Sequence, residues 1–276
     1  MRTIAHISDL HFGRTDPTRV DALRRYIVAA QPDLVAVSGD LTQRARSAEF
    51  AAARAFIDSL PAPRVVIPGN HDVPLYDLVS RLTRPFAKYR KHFHEDLEPH
   101  HADDEMIVCG LNSARGLTVK DGRLDGAQVD RAIARFAERP AALKIVVTHH
   151  PFAVPPGHHE GDVIGDARDA MAKLARAGAD LFLAGHLHST HASSSFERYR
   201  IAGHSAIVVH AGTATSNRVR GEDNAFNVLR LDRDAITIEH VVWKERDFAV
   251  DRVSRFARGD VGWFTDPEGR ADLQSA

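Results

Sequence analysis

The feature of this sequence that most constrains its fold is a pattern that occurs five times. A short apolar run, rich in β-branched residues, ends abruptly in a polar cluster that contains Asp, Asn or His. The five runs cover residues 3–7, 34–37, 64–67, 143–147 and 180–184. Runs of this length and composition predict buried strands. In α/β proteins the carboxyl ends of such strands form the functional site, so we expect the five polar clusters to lie together.

The segments between these runs predict helices and a further strand. The patterns predict helices over 19–30, 45–59, 126–139 and 166–177, a broken helix over 75–93, and a strand over 106–111. Residues 201–210, 224–231 and 235–243 read as strands without long helices between them, and we predict that they form a second, more antiparallel sheet. The expected class is α/β, with 1–276 as one domain, a cap or insert at 75–105 and a C-terminal extension at 244–276.

Composition excludes several classes of protein. The 276 residues are 43% apolar and carry a formal net charge of −1, which argues against stable nucleic-acid binding. The single cysteine, Cys109, rules out an internal disulfide framework and a cysteine-based metal site. No apolar run approaches the roughly 18 residues of a membrane span, and no secretory segment is evident, so we expect a cytoplasmic protein without a membrane span.

The polar clusters contain side chains that bind metals. The candidates, in chain order, are Asp9 and His11, Asp40, Asn70 with His71, His149, and His186 with His188. Side chains two residues apart at the end of a strand point the same way. The pair Asp9 and His11 could therefore bind one ion, and so could the pair His186 and His188. Of the adjacent His149 and His150, a pleated backbone lets only one point into a site.

In order and local spacing, these motifs resemble the calcineurin-like metallophosphoesterase family. The pattern is Asp-x-His, Gly-Asp, Gly-Asn-His-Asp, His and Gly-His-x-His, over residues 3 to 188. The resemblance implies a four-layer αββα sandwich of two mixed β-sheets flanked by helices. It also implies two metal sites that share one carboxylate. One site would use Asp9, His11, Asp40 and His188, and the other would use Asp40, Asn70, His149 and His186.

The implied cofactor is a pair of transition metal ions. Imidazoles combined with carboxylates suit Fe, Mn or Zn better than Mg. Two such ions lower the pKa of a bridging water, and the resulting hydroxide attacks the phosphorus directly. By resemblance, His71 is the catalytic residue, placed to stabilise or protonate the leaving-group oxygen. His149 is preferred to His150 as the ligand because the family's ligand is the first histidine after the strand.

One position departs from part of the family. Protein phosphatases of the family have a second Asp three residues after Gly-Asp, which supports the catalytic histidine, and here that position is Gln43. A neutral partner stabilises a histidine cation less well. The departure argues against a protein phosphatase, and the chain looks more like the bacterial branch related to cyclic-nucleotide phosphodiesterases.

The function predicted is hydrolysis of a small-molecule or lipid phosphodiester. Alternatives within the same chemistry are a phosphomonoesterase and a lipid-linked pyrophosphatase. The latter ranks lower because the 75–105 segment is only partly apolar. A non-catalytic protein-binding scaffold is the alternative from another class. The His-rich 92–105 segment is predicted to be a solvated loop or cap. The loop with Arg218 and Arg220 is predicted to connect strands and could contact an anion. The sequence is compatible with a homodimer but does not indicate an interface.

Overall fold

Two mixed β-sheets form the centre of the molecule. A computed structural model describes residues 1–155, 158–195, 204–216 and 223–266. The strands in these residues are β1 (Arg2–Ile7), β2 (Leu34–Ser38), β3 (Arg64–Ile67), β4 (His100–Ala102), β5 (Met106–Gly110), β6 (Leu143–Val147), β7 (Leu181–Ala184), β8 (His191–Ser194), β9 (Ile207–His210), β10 (Ala225–Leu231), β11 (Ala235–Lys244), β12 (Asp247–Gly259) and β13 (Gly262–Thr265). The helices are α1 (Pro17–Ala30), α2 (Ser47–Asp58), α3 (Leu78–Thr83), α4 (Ala87–His92), α5 (Gly126–Glu138) and α6 (Ala167–Arg176).

The first sheet has the order β13-β12-β11-β10-β1-β2-β3, and the second has the order β4-β5-β6-β7-β9-β8. In the first sheet β1, β2 and β3 are parallel, and β10 to β13 are antiparallel to their neighbours. In the second sheet β5, β6, β7 and β9 are parallel, and the edge strands β4 and β8 are antiparallel. The predicted strands at the five apolar runs are all present.

The predicted second, antiparallel sheet at the C-terminal end is wrong. Strands β10 and β11 extend the first sheet instead. Strand β2 pairs with one edge of β1, which leaves the other edge of β1 for a further strand. Strand β10 pairs antiparallel with the other edge, from Arg2 opposite Leu231 to His6 opposite Asn227. Strand β9, in contrast, pairs in parallel with β7 in the other sheet. The predicted extension after residue 244 contains the hairpin β12–β13, with Phe256 and Trp263 buried.

Three apolar layers hold the sheets and helices together. The layer between the sheets combines side chains of both, such as Ile4 from β1 and Ile145 from β6. Helices α1 and α2 pack on the outer face of the first sheet, and α5 and α6 pack on the outer face of the second. The four-layer αββα sandwich is therefore confirmed.

The predicted cap segment, residues 75–105, contains α3, α4 and the edge strand β4. Within its His-rich part, which the sequence predicted to be a solvated loop or cap, His100–Ala102 forms a strand that pairs antiparallel with β5. Within the described residues, no helix combines the length and the apolar character needed to cross a membrane.

A row of polar side chains crosses the buried part of the first sheet. His6, Asn227 and His240 lie opposite one another on β1, β10 and β11. His6 Nε2 is 2.9 Å from Ser38 Oγ, and His240 Nδ1 is 2.9 Å from Asn227 Oδ1. Asn227 also donates to the main-chain oxygen of His210, at 2.9 Å, which joins the two sheets. Burial lowers the pKa of His6, His210 and His240 to about 3.

These buried histidines predict a loss of stability in acid. In the unfolded chain their pKa returns to about 6.5, so the unfolded chain binds more protons between pH 6.5 and pH 3. The free energy of unfolding should therefore fall as the pH drops below 6.5, by about 2 kcal/mol per histidine at pH 5. Urea unfolding at pH 7 and pH 5 measures this. The His240→Gln variant should lose less stability over that interval than the parent chain, and an equal loss would contradict the assignment.

Candidate metal centre

The structure brings all the predicted site residues together at one edge of the sandwich. Asp9 and His11 follow β1, Asp40 follows β2, and Asn70 and His71 follow β3. His149 follows β6, and His186 and His188 follow β7. Groups of these side chains have potential ligand atoms within 4.8 Å of one another. The first sheet thus contributes five of these residues, and the second sheet contributes three.

The backbone at these positions adopts a conformation that most residues avoid. Nine non-glycine residues in the described parts of the chain have a positive φ, and five of them are predicted ligands. They are Asp9 (52°), His11 (50°), Asp40 (52°), His186 (71°) and His188 (59°). Left-handed backbone at non-glycine residues costs free energy and concentrates at functional sites.

Asp9, His11 and His188 form one group. His11 Nε2 is 3.6 Å from Asp9 Oδ1, and His188 Nδ1 is 3.5 Å from the same oxygen. The other oxygen of Asp9 accepts a hydrogen bond from the main-chain nitrogen of His186 at 3.0 Å, which fixes the carboxylate. His188 Nδ1 also lies 2.6 Å from Thr213 Oγ1.

Asp40, Asn70 and His149 form a second group. His149 Nδ1 lies 2.8 Å from Ser38 O, which can only accept, so this nitrogen carries the proton. Its Nε2 then presents a lone pair, 2.9 Å from Asn70 Oδ1 and 3.3 Å from Asp40 Oδ1. An imidazole lone pair and a carboxylate oxygen that face each other at this distance suit a cation between them.

His149, the histidine preferred as the ligand, and its neighbour His150 both lie close to the site. Their ring centroids are 4.9 Å apart, and the ring of His150 is 4.6 Å from that of His186. Strand β6 ends at Val147, so the alternation of a pleated strand no longer applies to these residues. Ser113 Oγ holds His150 Nδ1 at 2.9 Å. His150 thus lies in one cluster with His149, the histidine preferred as the ligand, and His186.

Electrostatics keep the carboxylates charged and some of the histidines neutral. Burial raises the pKa of Asp9, but His188 and other nearby histidines outweigh it and hold the pKa well below the usual range. Burial also raises the pKa of Asp40, but interactions with nearby histidines, with that of His149 the largest, outweigh it and lower this pKa. Burial, with a smaller contribution from His149, lowers the pKa of His186 to about 4. Charged carboxylates and neutral imidazoles are the protonation states that bind metals.

Unpartnered buried atoms also fit a metal centre. Within the described residues, Asp9 Oδ1 and both ring nitrogens of His11 are buried without a hydrogen-bond partner. Leaving such atoms unpaired is costly. His11 Nε2 also lies 3.8 Å from Asp40 Oδ2, so Asp40 reaches the first group through one oxygen and the second group through the other. The residues present therefore fit a metal centre in which Asp40 could contact two ions.

His71 lies beside Asp40 at the pocket surface. Its main-chain nitrogen donates to Asp40 Oδ1 at 2.8 Å, and its Nδ1 lies 2.9 Å from the main-chain oxygen of Gln43. That carbonyl oxygen fixes the proton on Nδ1 and leaves Nε2 as the second functional nitrogen. Gln43 therefore orients His71 mainly through its backbone, at the position where the protein phosphatases carry an Asp.

Asp72 and Gly69 hold the loops of the site in place. The Asp72 carboxylate accepts hydrogen bonds from the main-chain nitrogens of Leu41, Thr42 and Gly69, at 2.9 to 3.1 Å. Burial and the charge of Asp40 raise the pKa of Asp72 to about 6. Gly69 has φ −105° and ψ −173°, a backbone conformation that any residue can adopt. A glycine is needed at position 69 because there is no room for a side chain, since a Cβ there would lie 2.2 Å from Asp40 Oδ1.

The contact at Gly69 predicts that Gly69→Ala displaces Asp40. An added Cβ would also lie 2.3 Å from the Asp40 main-chain nitrogen, which cannot turn away as a side chain can. We expect a loss of about 1 to 3 kcal/mol in the free energy of unfolding, with weakened metal binding. Urea unfolding and metal titration measure both. Gly126→Ala is the matched control, because a Cβ there meets nothing within 4 Å. Equal behaviour of the two variants would contradict the role of Gly69.

A pocket of about 460 Å³ opens over this centre. The candidate centre contributes Asp40, Asn70, His71, His186 and His188 to its wall. Sequence reasoning missed other residues of the wall, which are Arg44, Val73, Leu75, Arg81, Val119, Lys120, His158, Asp162 and Leu187. The loop arginines Arg218 and Arg220 lie outside the described residues.

The site and the fold together define a class of protein. Residues 2–190 match the family model for calcineurin-like phosphoesterases. The chain belongs to this family, and the His and Asp groups described above could hold its metal ions. Family membership supports hydrolysis of phosphoric esters.

Two curated relatives carry more specific names. The chain is 28% identical over 200 residues to a probable cyclic nucleotide phosphodiesterase of Synechococcus sp., covering 67% of this chain and 73% of the relative. It is 35% identical over 85 residues to the glycerophosphodiester phosphodiesterase GpdQ of Enterobacter lignolyticus, covering 25% of this chain and 29% of that protein. The second likeness is therefore local.

Solved structures agree on the fold. Purple acid phosphatase PPD1 from yellow lupin seeds superposes with a TM-score of 0.69 at 13% identity, over 93% of this chain and 53% of that chain. The chain thus spans about half the length of the lupin phosphatase. The structure of PhoD gives a TM-score of 0.72 at 11% identity, over 96% of this chain and 71% of that chain. At these identities the likeness concerns the fold alone.

Proposed function

We propose that the chain is a phosphodiesterase that depends on two transition metal ions, Fe, Mn or Zn. The observation that carries the proposal is the position of Asp40. One oxygen of this carboxylate lies 3.3 Å from His149 Nε2, and the other lies 3.8 Å from His11 Nε2. A carboxylate that reaches two ligand groups is what a two-metal site requires.

Each ion has its own proposed ligand set. Asp9, His11, Asp40 and His188 hold one ion, and Asp40, Asn70, His149 and His186 hold the other. Ser38 supports this assignment, because its carbonyl oxygen fixes the tautomer of His149 that can bind a metal. When bound, the two ions would activate a water molecule near neutral pH and neutralise the phosphoryl oxygens.

The proposed catalytic residue is His71. Its Nδ1 proton is held by the Gln43 carbonyl oxygen, and the ring forms part of the pocket wall. In the imidazolium form, which carries a second proton on Nε2, the ring would donate that proton to the leaving-group oxygen as the bond to phosphorus breaks. Water attacks phosphorus directly, so no covalent phosphoenzyme forms.

The choice of a diester rests on the two curated relatives, which are both named as phosphodiesterases. The test compares hydrolysis of bis(p-nitrophenyl) phosphate with that of p-nitrophenyl phosphate, with metal content measured on the same sample. We expect preferential cleavage of the diester by protein that carries about two ions per chain. Preferential cleavage of the monoester would make the chain a phosphomonoesterase. Absence of both metal and cleavage would support a binding scaffold.

A further inference from the structure

Exposed apolar side chains are concentrated beside the pocket. Among the described residues, eleven large hydrophobic side chains are exposed, and six of them lie within residues 76–82 and 117–119. We call these six the apolar rim, and they are Tyr76, Leu78, Val79, Leu82, Leu117 and Val119. Exposed apolar residues that occur singly need no explanation, but a concentrated patch marks an interaction site.

Helix α3 is inverted relative to an ordinary surface helix. Leu78, Val79 and Leu82 are 62% to 73% exposed, whereas Arg81 is only 6% exposed. Residues three and four apart share a helix face, so Leu82 lies beside both Leu78 and Val79. A surface helix normally buries its apolar face and exposes its charges. Here the arginine faces the protein and the apolar side chains face outward.

Arg81 joins the two segments of the rim. Its guanidinium donates to Pro74 O at 3.1 Å and to Thr118 O, which lies between Leu117 and Val119. Gly116, next to Leu117, also packs closely against α3, since a Cβ on Gly116 would lie 2.5 Å from the main-chain oxygen of Arg81. The α3 segment and the 117–119 segment therefore form one continuous surface.

The apolar rim is continuous with the pocket over the metal centre. Val119 belongs to both, and Leu75 extends the pocket wall toward Tyr76. The ring of Tyr76 lies 5.7 Å from the guanidinium of Arg44, which also lines the pocket together with Lys120. Arg44 and Lys120 thus place positive charge in a pocket wall that Asp40 and Asp162 also line, and the apolar rim continues outward from Val119.

We propose that the substrate is an amphiphilic phosphodiester, with its phosphate in the pocket and an alkyl arm along the apolar rim. This inference rests on the proposed phosphodiesterase function. Arg44 and Lys120 match the anionic phosphate, and the rim provides the apolar contact that a small polar diester would leave exposed to water. The arrangement accounts for the outward-facing leucines of α3 by assigning them a ligand.

The test uses p-nitrophenyl alkyl phosphates with methyl, butyl and octyl arms, below the concentrations at which they aggregate. The leaving group and the phosphate stay constant, so only the arm varies. A methylene withdrawn from water contributes about fourfold to binding, and we expect kcat/KM to rise roughly tenfold or more from methyl to octyl. In the triple variant Val79→Gln, Leu82→Gln, Leu117→Gln this dependence on arm length should largely disappear.

The matched control is the triple variant Val250→Gln, Val261→Gln, Phe264→Gln. These side chains are also exposed and apolar, but they belong to the β12–β13 hairpin. The control should keep the dependence on arm length. A methyl ester that is cleaved as well as the octyl ester would overturn the inference and leave the proposed function intact. Failure of metal-loaded protein to cleave any of the diesters would instead overturn the proposed function.

A second copy of the chain is the competing occupant of the rim. Sedimentation of the parent chain and the rim variant distinguishes it. A dimer that becomes a monomer in the rim variant would show that the rim binds another copy, and it would overturn the amphiphile proposal. If the parent chain and the rim variant sediment alike, and the rim variant loses the dependence on arm length, the amphiphile proposal is supported.

Discussion

Replacement of Asp40 by asparagine should reduce kcat/KM for bis(p-nitrophenyl) phosphate by more than about 100-fold. Loss of a residue that hydrogen-bonds to a metal ligand typically reduces activity by about 10- to 100-fold. Loss of a ligand shared by two ions should reduce activity further. The substitution keeps the shape of the side chain, including an oxygen for the main-chain nitrogen of His71. It removes the negative charge that reaches both ligand groups. Metal content per chain should fall in parallel.

Asp180→Asn is the control for the Asp40 variant. Asp180 is also a buried aspartate, but its carboxylate binds Arg258 and Trp263, away from the candidate metal centre. This variant should keep its metal content and its activity. An Asp40→Asn variant that retains both metals and full activity would show that Asp40 does not link the two ligand groups.

Replacement of His71 by alanine should reduce kcat by about 100-fold or more while metal content stays unchanged. The loss should be larger for a diester with an alkoxide leaving group than for one that releases p-nitrophenolate, because a poor leaving group depends more on a proton donor. Rates for the two kinds of diester, measured with metal content, test this. Loss of metal from the variant would instead identify His71 as a ligand.

Gln43→Ala is the companion variant for His71. The acceptor that holds His71 Nδ1 is the main-chain oxygen of residue 43, which alanine retains. The variant loses only the contact from Gln43 Nε2, at 3.3 Å. We therefore expect a much smaller reduction in kcat than for His71→Ala. A reduction of the same size would mean that the side-chain amide, and not the backbone, positions the imidazole.

Much of the fold was predictable because its central strands carry local signals. Leu143–Val147 and Arg64–Ile67 begin and end where the apolar runs do. Within each sheet, the polar residues that follow parallel strands lie at the same edge. The meeting of the cluster after β3 with the cluster after β6 depends on how the two sheets pack, because these strands belong to different sheets. Sheet membership of the C-terminal strands was not predictable in this way. Whether β10 pairs with β1 or with another strand depends on which edge is free, and periodicity along one segment carries no information about that.

Two features of the site were also beyond local patterns. The place of His150 beside His186 depends on the chain leaving the pleat at Val147, and the residue types alone do not indicate that point. The apolar rim combines α3 with residues 117–119, which are more than thirty positions apart. In the sequence each part reads as an ordinary short apolar stretch, and the contacts of Arg81 with Thr118 and Gly116 join the two parts into one surface.

The division of the candidate ligands between the two sheets has a thermodynamic consequence. Asp9 and Asp40 belong to the first sheet, and His149 and His186 belong to the second. Ions held between them would cross-link the layers, so the free energy of metal binding would add to the cohesion of the sandwich. Chelation would then weaken the contact between the layers throughout the molecule. Selection for tighter metal binding would raise thermal tolerance even where no residue of the apolar core had changed.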